Sequence, residues 1–135
     1  MDRIGELKER FTQEPLGIAL GAVLTHLSPG KATVCVPVRD DFLIVDGIVQ
    51  GGVTTVVADF AGVYAAMADL PSGHTPAGQI AIDFFRPFKA GDTMYAEAKV
   101  VSDTRSSLWV HVTVTGDDFS KPKAFARIHF SKPKA

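Results

Sequence analysis

The stretch G-G-V-T-T-V-V-A-D-F-A-G-V-Y-A-A-M-A-D-L, Gly51 to Leu70, has almost no polar face. Val53, Val56, Val57, Phe60, Tyr64 and Met67 recur at helical spacing. Ala58, Ala61, Gly62, Ala65, Ala66 and Ala68 fill most of the other directions. A helix that is apolar or small nearly all round belongs in an interior. The valines and threonines at 53–57 are poor helix formers, so tertiary burial must supply the stability. Asp59 is the only charged residue between Gly52 and Ala68. A carboxylate in such a place is costly unless it is paired, hydrogen-bonded or used.

Downstream, the period changes from helical to two. Pro71-Ser72-Gly73 ends the apolar segment. Ile80, Ile82 and Phe84 then share one face, as do Met94, Ala96, Ala98 and Val100. Leu108, Val110, Val112 and Val114 form the clearest strand, and Ala124, Ala126, Ile128 and Phe130 the last. Upstream, Ile4, Leu7 and Phe11 predict a short amphipathic helix over residues 2–13, broken by Pro15 and Gly17. Ile18–His26 and Ala32–Val38 flank the turn signal Ser28-Pro29-Gly30-Lys31 and predict a hairpin. Arg39–Val49 reads as irregular. The order is helix, hairpin, long buried helix and about four strands, with nothing to divide it. One α+β domain over 1–135, its antiparallel sheet wrapped around one long central helix, accommodates that order.

The bulk properties narrow the function. The chain has 135 residues, a formal net charge of -1 and no long basic run, which argues against a nucleic-acid partner. Cys35 is the only cysteine, so no intrachain disulfide forms and a reducing, cytoplasmic setting is expected. The first ten residues are too charged for a signal-peptide core. No apolar run is expected to reach the roughly 20 residues of a membrane span. His26, His74, His111 and His129 share no metal-ligand spacing, and no metal is expected.

Two motifs in series carry a resemblance. V-Q-G-G-V-T-T-V-V-A-D-F-A-G (49–62) resembles the motif of hotdog-fold thioesterases of the PaaI and 4-hydroxybenzoyl-CoA thioesterase type. Those usually read H-G-G, with an acidic residue eight positions after the first glycine, the separation of Gly51 and Asp59. I-A-I-D-F-F-R-P-F-K-A-G-D (80–92) resembles the same family's third strand, with its arginine-proline and glycine turn. The resemblance covers most of the chain from about residue 18. It implies a homodimer, or a dimer of dimers, that hydrolyses an acyl-CoA or related pantetheine thioester. The CoA thioester is the substrate, and no separate cofactor is implied.

Thioester hydrolysis needs a donor for the developing oxyanion and a carboxylate that attacks or activates water. A helix N-terminus offers unpaired N–H groups and a positive dipole end. Gly51 and Gly52 let a substrate approach that backbone closely. The resemblance assigns the oxyanion contact to the Gly51 N–H and the carboxylate role to Asp59. Eight residues of helix span about 12 Å, whereas a base and an oxyanion donor on one carbonyl lie about 6–7 Å apart. Two antiparallel helices solve the mismatch, with Gly51 from one subunit and Asp59 from the other. The acyl group is then expected against Val56, Phe60 and Val63, with Arg86 at the rim for CoA phosphates.

Three positions depart from the family pattern. Gln50 replaces the usual histidine; its amide can hydrogen-bond water, thioester or carboxylate but cannot titrate. Ile44 stands where an asparagine or glutamine is common. Ala77 stands where many members place serine or threonine beside the substrate, with Thr75 a substitute if the loop shifts. These losses leave a second expectation open, a module that binds acyl-CoA without hydrolysing it. Cys35 is expected in the core, and Trp109 and His111 on the outer face of the sheet.

Overall fold

The computed structural model describes residues 2–132 of the chain; residue 1 and residues 133–135 of the expected domain lie outside that range. Two short helices, α1 (Arg3–Phe11) and α2 (Pro15–Leu20), precede a hairpin of β1 (Val23–Ser28) and β2 (Lys31–Pro37). A 3-10 turn (Asp40–Phe42) and an irregular loop lead into α3 (Gly51–Asp69). Strands β3 (Ala77–Phe84), β4 (Thr93–Asp103), β5 (Ser107–Thr115) and β6 (Pro122–Ser131) follow. All neighbours pair antiparallel, in the order β1-β2-β4-β5-β6-β3. This is the hotdog arrangement, a curled sheet around a central helix.

Period-two alternation explains the sheet. Val34 and Val36 of β2, Met94 and Ala96 of β4, Val110 and Val112 of β5, and Ile128 and Phe130 of β6 are fully buried on the concave face. Against them α3 presents Val57, Ala58, Ala61, Tyr64 and Ala65, also fully buried. Small residues bring the helix close. A Cβ on Gly62 would meet Ile128 Cδ1 at 2.6 Å, inside contact distance. Strand β3 occupies one edge of the sheet and β1 the other.

Several expectations need correction. Pro15 does not break the chain into a loop but starts α2 at the first helical position, where its missing N–H costs nothing. Gly21, at φ 71°, caps that helix in the left-handed conformation. Residues 18–20 are therefore helical, and β1 begins only at Val23. Helix α1 ends at Phe11 and begins after Asp2, whose carboxylate accepts the Gly5 N–H at 2.7 Å. Cys35 is not in the core; it alternates with buried Val34 and Val36 and so lies on the outer face, opposite Tyr95 of β4. Helix α3 is, contrary to expectation, long and apolar enough to cross a membrane, at 19 residues and mean hydropathy 1.3. Here 56% of its apolar window is buried inside the fold, as a core helix requires.

The outer face carries Trp109 and His111, as alternation predicts. Trp109 packs on His129 with centroids 4.5 Å apart, and His111 meets Phe125 edge-on at 5.1 Å. Arg3 of α1 donates to the Met67 carbonyl at 3.0 and 3.2 Å, fastening α1 to the C-terminal end of α3.

Candidate active site

The start of α3 is fixed from both sides. The Gln50 N–H donates to the Phe42 carbonyl and the Val49 N–H to the Phe88 carbonyl, each at 2.9 Å. Gln50 is the N-cap, and its side-chain oxygen accepts the Gly52 N–H. The Val53 N–H bonds the Gln50 carbonyl at 2.9 Å. Thr55 Oγ1 donates to the Gly51 carbonyl at 2.8 Å, closing the first turn. The Gly51 N–H has no acceptor among the described residues. It remains free for a ligand oxygen at the positive end of a 19-residue helix.

Gly51 faces a cavity of about 340 Å³. Its other walls include Thr54, Phe84, Phe85, Arg86 and Lys123. A Cβ at Gly51 would lie 3.2 Å from Phe84 Cζ, so a side chain there would crowd the ring and narrow the approach to the N–H. Phe84 and Phe85 are 53% and 58% exposed, an apolar surface at the end of edge strand β3. Lys123 reaches over Phe88, donates to the Pro87 carbonyl at 3.1 Å and lies 3.6 Å from Asp92. The Arg86 N–H bonds the Lys123 carbonyl at 3.1 Å, holding both cations at one rim.

Asp59 sits more than two turns along α3, outside this cavity. It is half-buried, and its Oδ1 is buried with no hydrogen-bond partner among the described residues. Burial pushes its carboxyl above the ordinary range. Val56, Phe60 and Val63 are likewise half-buried, so this side of α3 is incompletely covered by the rest of the chain.

The chain thus brings Gly51 and Arg86 to a common cavity and leaves Asp59, Val56, Phe60 and Val63 together elsewhere. Gln50 and Gly52 stand at the helix mouth, bonded to each other. Ala77 is half-buried at the start of β3, paired with Phe130. The Thr75 hydroxyl donates to the Ser131 carbonyl and is committed to holding the loop. Ile44 is 38% exposed on a turn closed by its N–H on the Ile48 carbonyl at 2.8 Å. His74 is exposed. Among the described residues no three His, Cys, Asp or Glu side chains gather to hold a metal.

Sequence reasoning did not single out Thr54, Phe84 or Phe85 as cavity walls; Lys123 stood with Arg86, Lys89, Arg105 and Lys121 among scattered cations that could meet CoA phosphates at a rim. The aromatic pair at the end of a strand before Arg86-Pro87 was the available signal. A pair of large apolar residues where alternation stops marks a strand end that leaves the core.

Residues 46–120 match the thioesterase superfamily. Among solved structures, a mutant of the phenylacetic acid degradation protein PaaI from Thermus thermophilus is 32% identical, with a TM-score of 0.80. That alignment covers 89% of this chain and all of the other. The E. coli PaaI protein is 24% identical, covers 95% of this chain and 94% of its own, and has a TM-score of 0.83. A Streptococcus mutans protein, smu.793, bound to acetyl CoA, is 24% identical over 82% of this chain and 88% of its own, with a TM-score of 0.74. The last two likenesses are of fold. No curated protein sequence matches.

Proposed function

Because this chain belongs to the thioesterase superfamily, and is by that membership an acyl-CoA thioester hydrolase, we propose how its own residues divide the reaction between two subunits. The Gly51 N–H of one subunit polarises the thioester carbonyl. The partner subunit's Asp59 supplies the carboxylate. The pantetheine arm lies in the cavity beside Gly51 and Phe84, and Arg86 and Lys123 meet the phosphates at its rim. The acyl group rests on Val56, Phe60 and Val63.

Asp59 carries this reading. A buried carboxylate oxygen without a partner is unstable unless it has a task, and α3 offers it no donor. Desolvation also raises its basicity, which suits a group that must take a proton from water near neutrality. As base, Asp59 removes a proton from water while the new C–O bond forms, then returns it to the leaving thiolate as the C–S bond breaks. As nucleophile, it attacks the carbonyl carbon and expels the thiolate as the C–S bond breaks, leaving a mixed anhydride. Water then opens the anhydride to the free acid and the Asp59 carboxylate, and the thiolate takes a proton from solvent. Both routes develop negative charge on the carbonyl oxygen, where the Gly51 N–H and the helix dipole stabilise it.

The Gln50 side chain suits a structural task better than a proton-transfer one. Its oxygen already accepts the Gly52 N–H, which leaves its NH₂ to hydrogen-bond water or substrate. Two-subunit catalysis also explains the incomplete cover on Asp59, since a second α3 lying antiparallel would bury it further.

Release of free thiol from short, long and aromatic acyl-CoA esters tests the assignment. Asp59→Asn is expected to lose at least a hundredfold in kcat/KM while remaining folded. Equal activity in both proteins would remove Asp59 from the site.

A further inference from the structure

Phe60 follows Asp59 along α3, and the inner side of its ring rests on the N-terminal helices. Phe11 of α1 meets it edge-on with centroids 5.7 Å apart, and meets Tyr64 at 5.0 Å. A Cβ at Gly17 of α2 would lie 3.8 Å from Phe60 Cζ and 3.9 Å from Phe11 Cζ, so the three residues converge. Phe11 is also a wall of a second cavity, about 470 Å³, between α1, α2 and β1. Its aliphatic walls are Ile18, Ala22, Val23 and Leu24, and Lys8, Thr12 and Thr25 add the polar ones. Ile18 and Val23 are 65% and 54% exposed at this site.

The catalytic scheme above does not use this cavity, yet Phe11 belongs both to its wall and to the packing of Phe60, the neighbour of Asp59. Its volume lies in the roughly 300–1,000 Å³ range of small-molecule sites. Phe11 and Phe60 meet in edge contact, and Phe60 is half-buried. A slot opened between two rings admits an unbranched chain more readily than an aromatic group, and aliphatic walls lie beyond it.

We propose that the cavity between α1, α2 and β1 receives the far end of a long aliphatic acyl chain, with Phe11 and Phe60 as the gate between it and Asp59. The proposal rests on the thioesterase reading and adds the substrate class to it. Methylene burial gains about fourfold in binding per CH₂, so a chain that enters the cavity is preferred over one that stops at Phe60.

The test compares kcat/KM for dodecanoyl-CoA and butanoyl-CoA in the wild type, Ile18→Trp and Ala22→Leu. The ratio of the two esters is taken within each protein, so a difference in folded fraction cancels. Filling the cavity is expected to lower the dodecanoyl-to-butanoyl ratio at least fivefold in one or both variants, chiefly through KM. A smaller change in both, or a wild type that hydrolyses butanoyl-CoA but not dodecanoyl-CoA, overturns the cavity assignment and leaves thioester hydrolysis standing. If the wild type hydrolyses neither of these esters but does hydrolyse an aromatic acyl-CoA, the cavity assignment falls and thioester hydrolysis stands; if it hydrolyses none of the three, both fall.

Discussion

A carboxylate oxygen that is buried and unbonded ties Asp59's chemistry to pH. In the proposed scheme its ionised form is the working form, and desolvation raises the pH at which that form appears. The kcat/KM profile is therefore expected to rise with pH and level off, with a midpoint above the roughly 4 of an ordinary aspartate. A midpoint at the ordinary value would mean that water reaches Asp59 freely in the working enzyme. At the far end of the same helix, Asp69 is pushed up to about 6, by burial first and then by the neighbouring Asp103, with Lys132 opposing. Folded Asp69 takes up its proton at higher pH than the unfolded chain does. Its contribution to stability therefore falls as pH rises from about 4 through about 6. Asp69→Asn should stabilise the protein at pH 7.5, and the difference from wild type should vanish near pH 4, as read by urea unfolding at each pH. At this scale the sequence made Asp59 conspicuous, because a lone charge interrupts an apolar run. The capping bond of Gln50 and the commitment of Thr75 to Ser131 were not legible, since both depend on where a side chain turns.

Elements were read from period, and the sheet shows how far period reaches. Strands β3 to β6 follow from alternation alone, because a one-residue slip would turn each apolar set outward. Alternation equally places Cys35 outside, between Val34 and Val36; its apolar character misled where its position did not. Helix α2 was missed because Pro15 and Gly17 both look like breakers, yet one begins the helix and the other packs beside Phe60. Close packing of α3 on the sheet gives a test of its own. Alanine at Gly62 gains about 1 kcal/mol of helix propensity, but its methyl would meet Ile128 Cδ1 in a fully buried site, and overpacking costs about 1–3 kcal/mol. Gly62→Ala should therefore fall between neutral and about 2 kcal/mol destabilising. Ile128→Val removes the opposing Cδ1, and in that background the same alanine should be neutral or stabilising. An unchanged penalty in the double-mutant cycle would place the clash elsewhere.

For the whole molecule, the eight residues between Gly51 and Asp59 are the informative length. A site shared between subunits can be rebuilt from two broken ones. Asp59→Asn and Gly51→Val homodimers should each be nearly inactive, the second because its side chain would crowd Phe84. Unfolded together and refolded as an equal mixture, half of the dimers combine one of each, and one of their two sites has both native residues. Thiol release should return to about a quarter of the wild-type rate. Failure to recover activity, with hybrid dimers demonstrated by mass spectrometry, would place Gly51 and Asp59 of one subunit in the same site.

The apolar character of α3 has a further consequence during synthesis. This helix leaves the ribosome before β3, β4, β5 and β6, four of the six strands that enclose it. At about 5–20 residues per second, the 62 residues from Asp69 to Ser131 take roughly 3–12 s to add. Throughout that interval the nascent chain displays a segment apolar enough for a lipid bilayer, with only the β1–β2 hairpin and the N-terminal helices to shelter it. Newly made copies are therefore expected to bind chaperones that recognise exposed apolar chain until β6 closes the sheet, and pull-down of ribosome-bound chains truncated before β6 would show it.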